Sequence, residues 1–77
     1  MKEVLEIIAK SLVDAPDNVD VKEVINADQT VTLELRVADS DMGKVIGKQG
    51  RIAKAIRTVV KAAASRENKK VSVDILQ

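Results

Sequence analysis

The stretch Gly43-Lys44-Val45-Ile46-Gly47-Lys48-Gln49-Gly50-Arg51-Ile52-Ala53-Lys54-Ala55-Ile56-Arg57 decides how the rest of the chain is read. Gly47 and Gly50 interrupt an otherwise helix-favouring run, which predicts helix, tight turn, helix, with the backbone bare at the turn. Glycine accepts positive φ and carries no Cβ, so a phosphodiester can come close to the main chain there. The N–H groups opening the second helix add donors and partial positive charge. Lys44, Lys48, Arg51 and Lys54 surround the opening. The same glycines also suit a plain compact helix–helix turn, and the turn alone does not choose between the two roles. Ringed by cations, it suits a nucleic-acid backbone better than a small metabolite.

Outward toward the C-terminus, residues 51 to 65 predict the longest helix, with Ile52, Ile56, Val59, Val60 and Ala63 on its core stripe. Alanines 53, 55, 62 and 64 widen that stripe, and Arg51, Lys54, Thr58, Lys61 and Ser65 form the polar face. The helix should stop around Glu67-Asn68, where Asn takes a left-handed cap. Val71, Val73 and Ile75 then alternate with Ser72 and Asp74 in a short strand.

Toward the N-terminus, Asp39-Ser40-Asp41 offers a choice of N-caps for a short helix through Ile46. Residues 30 to 38 alternate cleanly, with Val31, Leu33, Leu35 and Val37 on one face, as in a strand with one buried side. Asp28-Gln29 supplies a hairpin turn. Residues 19 to 27 read as a weaker strand: Val19, Val21 and Ile25 share a parity that Val24 breaks, in the manner of an edge strand or a bulge. Residues 2 to 13 form a one-sided amphipathic helix, with Val4, Leu5, Ile8 and Leu12 inward and Ile7 and Ala9 flanking. Breakers from Asp14 through Pro16 to Asn18 end it.

The order is helix, strand, strand, helix, helix, strand. A crossover of two helices lets the second and third strands lie parallel and adjacent. The expected fold class is α+β: a three-stranded mixed sheet with all three helices on one face, in one domain over residues 1 to 77.

Composition narrows the chemistry. The 77 residues contain no Cys, no His and no Phe, Tyr or Trp. Disulfides, cysteine metal sites and the commonest general base are therefore absent, and no carboxylate pair is placed for catalysis, so no enzyme is expected. No signal peptide or bilayer-spanning run is visible, which points to a soluble, cytoplasmic protein without a membrane partner. Net charge is only +1, yet residues 1 to 41 carry −6 and residues 42 to 70 carry +8. So polarised a molecule repels polyanions everywhere except at the basic helix pair.

Two phosphate- and metal-binding patterns can be set aside. A P-loop needs a longer glycine-rich loop and Ser or Thr after its lysine, whereas Gln49 follows Lys48. Asp39-Ser40-Asp41 lacks the glycine and distant bidentate glutamate of an EF-hand, which leaves helix capping as its role. No cofactor, metal or small-molecule substrate is expected.

Val45-Ile46-Gly47-Lys48-Gln49-Gly50 followed by Arg51-Ile52-Ala53-Lys54-Ala55-Ile56 resembles the motif of a KH domain, the RNA-binding module whose GXXG loop clamps a short strand. Length and the run from Gly43 to Ala64 resemble, more narrowly, the small bacterial KH proteins of the KhpA family, across nearly the whole chain. One departure is Ala53, where many KH domains carry a branched aliphatic residue. The resemblance implies a type II KH fold and a non-catalytic chaperone or regulator of single-stranded RNA. Gly47 and Gly50 would admit the RNA backbone, Lys48 and Gln49 touch phosphates, and Lys44, Arg51 and Lys54 supply the attractive field. Bases would rest on an aliphatic floor of Val45, Ile46, Ile52 and Ala55, since no aromatic platform exists.

Weak binding by a single domain suits pairing, and the resemblance implies a homodimer or a heterodimer with a larger KH-containing RNA-binding protein. The alanine-rich helix, with Ala62 and Ala64 off its core stripe, offers a dimer surface. The competing reading is a KH-shaped module that recruits protein in cell-division or envelope control. A KH fragment of a larger transcription or ribosomal factor fits less well, because the chain begins and ends at the expected domain edges.

Overall fold

The computed structural model describes residues 1–76 and contains three helices and three strands: α1 (Lys2–Leu12), β1 (Asp20–Ile25), β2 (Val31–Arg36), α2 (Met42–Ile46), α3 (Arg51–Arg66) and β3 (Val71–Leu76). The sheet order is β1-β2-β3, with β2 central, antiparallel to β1 and parallel to β3. The helical crossover between β2 and β3 makes that parallel pairing possible, because no tight turn can join parallel neighbours.

Strand parity sets the two faces. Leu33 and Leu35 pair with Val73 and Ile75 on one side of the sheet, while Glu34 stands between Lys22 and Asp74 on the other. Val21, Leu33, Leu35, Val37, Val71 and Val73 are buried and meet Leu5 and Ala9 of α1, Val45 of α2, and Ile56, Val60 and Ala64 of α3 in one core. All three helices thus cover a single face, and the opposite one carries Lys22, Glu34, Arg36 and Asp74 together with Val24, Thr32 and Ser72.

β1 is an edge strand with unbroken register from Asp20↔Arg36 to Ile25↔Val31, so no bulge explains its irregular pattern. Ile25 has core parity but extends beyond the helical layer and is 71% exposed. The hairpin closes through Asn26 and Thr30, with Gln29 left-handed at φ 70°. Asp28 accepts hydrogen bonds from the amide and hydroxyl of Thr30, the hydroxyl first in weight, which holds its carboxyl below the usual range.

On two helices the buried stripe differs from the expected one. In α1, Leu5 and Ala9 are buried, while Leu12 is exposed. In α3 the stripe is Ala53, Ile56, Val60 and Ala64; Val59 is half exposed, and Ile52 and Ala63 lie at the margin. Alanines on nearly every side leave the apolar arc of α3 broad, so the space left by α1 and the sheet, more than hydrophobicity, selects its rotation. Ala64 cannot therefore belong to an exposed dimer face, whereas Ala62 remains on the surface beside Val59. The end of α3 follows the sequence closely. Asn68 is left-handed at φ 57°, its N–H donates to Ser65 and the Lys69 N–H to Ala64, the paired bonds of a Schellman cap.

No helix among the described residues is long and apolar enough to cross a membrane.

Candidate nucleic-acid interface

The turn joining α2 to α3 occupies residues 47–50, and three of its four residues have positive φ. Gly47 lies at φ 75°, ψ 175°, a region open in practice only to glycine. Gln49 lies at φ 57°, ψ 24° and Gly50 at φ 74°, ψ 15°. The Gly47 N–H closes α2 onto the Gly43 carbonyl at 2.9 Å, and the Gly50 N–H returns to the Gly47 carbonyl at 3.2 Å.

The two glycines serve different ends. A Cβ on Gly47 would stand 2.5 Å from Cγ1 of Ile52, so the turn folds down over that side chain and only a hydrogen fits between. A Cβ on Gly50 would meet nothing within 4 Å. Gly47 is thus demanded by internal packing, while Gly50 keeps the backbone bare toward open space. No side chain caps the start of α3, and the partial positive charge of its first turn faces the same opening.

Around this turn Lys48, Gln49, Arg51 and Lys54 are exposed. The Arg51 guanidinium reaches the Gln49 amide oxygen at 3.4 Å, a long contact at the mouth of the turn. Among the described residues, no carboxylate lies within ion-pairing distance of Lys48, Arg51 or Lys54. Their charge is directed outward. Ile46 is 36% exposed at the end of α2, Ile52 is half-buried beneath Gly47, and Ala55 is exposed one turn into α3. Val45, expected in the apolar floor, is fully buried and belongs to the core. On so short a helix the residue before an outward-facing Ile46 must point in. Ala53 is also buried, so the departure from a branched residue lies beneath the surface.

Lys44 departs from its expected role. Its ammonium pairs with Asp14 and lies 3.5 Å from Asp41. The hydrogen bond that the ammonium donates to Asp14, with Coulombic attraction to both carboxylates, raises the Lys44 pKa above the ordinary lysine value. A cation matched against two carboxylates adds nothing to the outward field.

Asp41 is the reason. It is 1% exposed, the sole buried charged residue among those described, and its two oxygens accept the amides of Asp14 at 3.2 Å and Ala15 at 3.0 Å. The Asp14 amide, with Ala15 and Lys44 adding to it, holds this carboxyl below the usual range despite burial. Asp41 does not cap α2. At φ −100°, ψ −3° it lacks the extended backbone from which a capping side chain reaches the first-turn amides, and it binds residues 13–19 to α2 instead. Sequence reasoning missed this, because partners 26 and 27 positions away leave no local pattern. It also missed Arg57, whose Nε donates to the Val73 carbonyl on β3 at 3.1 Å. Its place between the buried stripe and the polar face was the available signal.

No group of three or more Asp or Glu residues among those described is arranged to hold a metal ion. The arrangement offers binding chemistry: bare amides, outward cations and a small apolar ledge.

Comparison with known proteins identifies the family. A family model described as KhpA/KhpB, KH domain, matches residues 2–75. The RNA-binding protein KhpA of Clostridium perfringens is 68% identical over 76 residues, covering 99% of this chain and 100% of that protein. The RNA-binding protein KhpA of Chlamydia trachomatis is 52% identical over 77 residues, covering 100% of this chain and 97% of that one. Among solved structures, Era in complex with MgGDPNP and nucleotides 1506-1542 of 16S ribosomal RNA superposes with a TM-score of 0.71 at 18% identity, over 96% of this chain and 28% of that chain. Aquifex aeolicus Era bound to GDP.AlF4- gives a TM-score of 0.67 at 18% identity, over 96% and 28%. The likeness to Era is one of fold.

Proposed function

The chain belongs to the KhpA/KhpB KH-domain family, and on that premise we propose that it binds single-stranded RNA at the turn of residues 47–50, as a chaperone or regulator that performs no chemistry on its ligand. The observation that carries this reading is the pairing of Gly50, whose missing Cβ leaves open space, with three outward cations that no carboxylate neutralises. The relatives' name, RNA-binding protein KhpA, and the Era complex with ribosomal RNA support the ligand class.

In this mechanism the sugar-phosphate backbone rests against Gly47 and Gly50. Lys48 and Gln49 bind phosphate oxygens, Arg51 and Lys54 draw the strand in, and bases lie over Ile46, Ile52 and Ala55. A floor without aromatic rings forgoes stacking worth about 1–3 kcal/mol per base, so affinity for a single site is modest and base preference weak. Avidity then sets the working affinity, which is why pairing with a second KH domain belongs to the same reading.

The test is the double substitution Lys48→Asp with Gln49→Asp, read by fluorescence anisotropy on an unstructured RNA. Each aspartate puts a negative charge where a phosphate is expected to sit, on side chains that are exposed in the free protein. Affinity should fall by at least about tenfold while the melting temperature stays near that of the parent, and retained affinity would reject the loop as the site. Parent binding should also weaken steeply with added salt, through counterion release. A salt-insensitive interaction would instead favour an apolar protein partner.

A further inference from the structure

Asp41 is the only buried charge among the described residues, and the binding mechanism leaves it unused. Withdrawing a carboxylate from water is costly unless its oxygens find donors. Here they find the amides of Asp14 at 3.2 Å and Ala15 at 3.0 Å. Those two residues lie between the end of α1, where the Val13 N–H still returns to the Ala9 carbonyl, and the tight turn at Pro16–Asn18 that leads into β1. The carboxylate therefore ties the α1–β1 connection to the first residue of the α2 unit.

Asp41 and Val45 are four positions apart, and both face inward. At about 100° per residue, Ile46 and Gly47 follow round α2 from that buried side toward the surface. Val45 is held by burial, and Gly47 rests on the aliphatic side chain of Ile52. Apolar contact resists withdrawal but has no direction, so it leaves a helix of five residues able to roll. Hydrogen bonds do have direction. We propose that Asp41 is a positioning residue for RNA binding: its bonds to the Asp14 and Ala15 amides hold α2 in the rotation that presents Ile46 and the turn of residues 47–50. This deepens the loop reading above and rests on it. The α1–β1 connection and the RNA turn are then energetically coupled, and the coupling is reciprocal.

Charge alone predicts the opposite effect. Neutralising a carboxylate near a phosphate site, and releasing part of the Lys44 ammonium with it, strengthens the attraction for a polyanion. By field effects Asp41→Asn should bind RNA more tightly than the parent. By positioning it should bind more weakly, because the amide nitrogen of Asn turns a donor toward one of the two backbone donors.

The experiment compares the parent, Asp41→Asn and Asp14→Ala on a labelled oligouridylate over a salt series, below the onset of melting of every chain. Asp14→Ala removes an equal charge and frees Lys44, yet keeps both amides on Asp41, since the Asp14 side chain is exposed. Asp41→Asn should lose about fivefold in affinity, the loss expected when about one-fifth of the molecules hold the competent rotation. Its log K against log salt slope should stay that of the parent, because competent molecules keep every phosphate contact. Asp14→Ala should bind as the parent does or slightly more tightly. Unchanged or tighter binding by Asp41→Asn overturns the positioning role, as does a flatter slope or an equal loss in both variants.

Hydrogen exchange in the parent gives a second reading that needs no variant. Saturating RNA should slow the Asp14 and Ala15 amides several-fold and leave the Gln29 amide, bonded to Asn26 in the hairpin by the far end of α3, unchanged. An equal change at all three amides, or none, overturns the coupling. If Lys48→Asp/Gln49→Asp binds as the parent does, the loop reading itself has failed; if that protein loses RNA while Asp41→Asn keeps it, only the positioning role has.

Discussion

The two ends of α2 are built in opposite ways. Its leading end is fastened: Asp41, buried, gathers two amides from residues 13–19, and Lys44 closes the cluster onto Asp14. Its trailing end is released, with Gly47, Gln49 and Gly50 at positive φ, no side-chain cap on α3, and cations that face water unpaired. A helix of five residues is far below the length at which hydrogen bonding along its own axis sustains it. Something must hold it from outside. Placing the polar restraint at one end, with Val45 buried and Gly47 packed on Ile52 at the other, leaves the backbone of Gly50 free to face a ligand without losing its position. The contrast teaches that a charged residue's role follows from its counter-charges: Lys44 and Lys48 are close in sequence, yet one is internal structure and the other is surface.

The contrast is broken most forcefully at the glycines. Gly47→Ala places a methyl against Ile52 in a backbone region closed to alanine, and should cost on the order of 3 kcal/mol. That is a midpoint lower by roughly 15 °C in a domain of this size. Gly50→Ala meets open space and should cost only about 1 kcal/mol for its left-handed φ. Urea titration of both variants measures the difference, and equal costs would mean that Ile52 does not brace the turn.

A smaller effect is expected at the fastened end. Asp41→Asn removes the negative charge that Lys44 and the two amides address, lowering the thermal midpoint by several degrees at neutral pH. The sign of the pH dependence follows from a folded-state pKa below the ordinary 3.8. The contribution of Asp41 is complete above that value and is lost as pH falls through the lower, folded one. The parent should therefore show an acid limb that the Asn variant lacks in part, with Asp28 and Glu3, also depressed, contributing to what remains. Thermal melts between neutral and strongly acidic pH test this, and parallel limbs would mean that the carboxylate is not held as described.

The finest measurement separates the lysines. Lys54→Gln should flatten the salt slope of RNA binding by about 0.7, the share of one phosphate contact. Lys44→Gln should leave the slope unchanged while lowering the midpoint slightly. Equal slopes would return Lys44 to the binding surface.

Much of this design is legible in the residues themselves. Alternation from Val31 to Val37 specified β2 and its buried side, the paired glycines specified a turn between helices, and Asn68 marked the left-handed stop of α3, because each depends on contacts within a few positions of chain. The rotation of α3 that buries Ala64 and leaves Val59 half exposed was not legible, nor was the withdrawal of Val45 from the ligand-facing floor. Alanines on both sides of the stripe make the apolar arc of α3 broad, so its exact rotation is set only when neighbouring elements pack against it.

The sequence by itself thus determined the order of elements, the parallel pairing a helical crossover permits, and a bare turn among cations. Only the tertiary structure decided which cations remain free. Whether a lysine keeps its field or surrenders it depends on carboxylates brought near by folding, and Asp14 meets Lys44 across 30 positions of chain. Local composition carries no record of such a meeting.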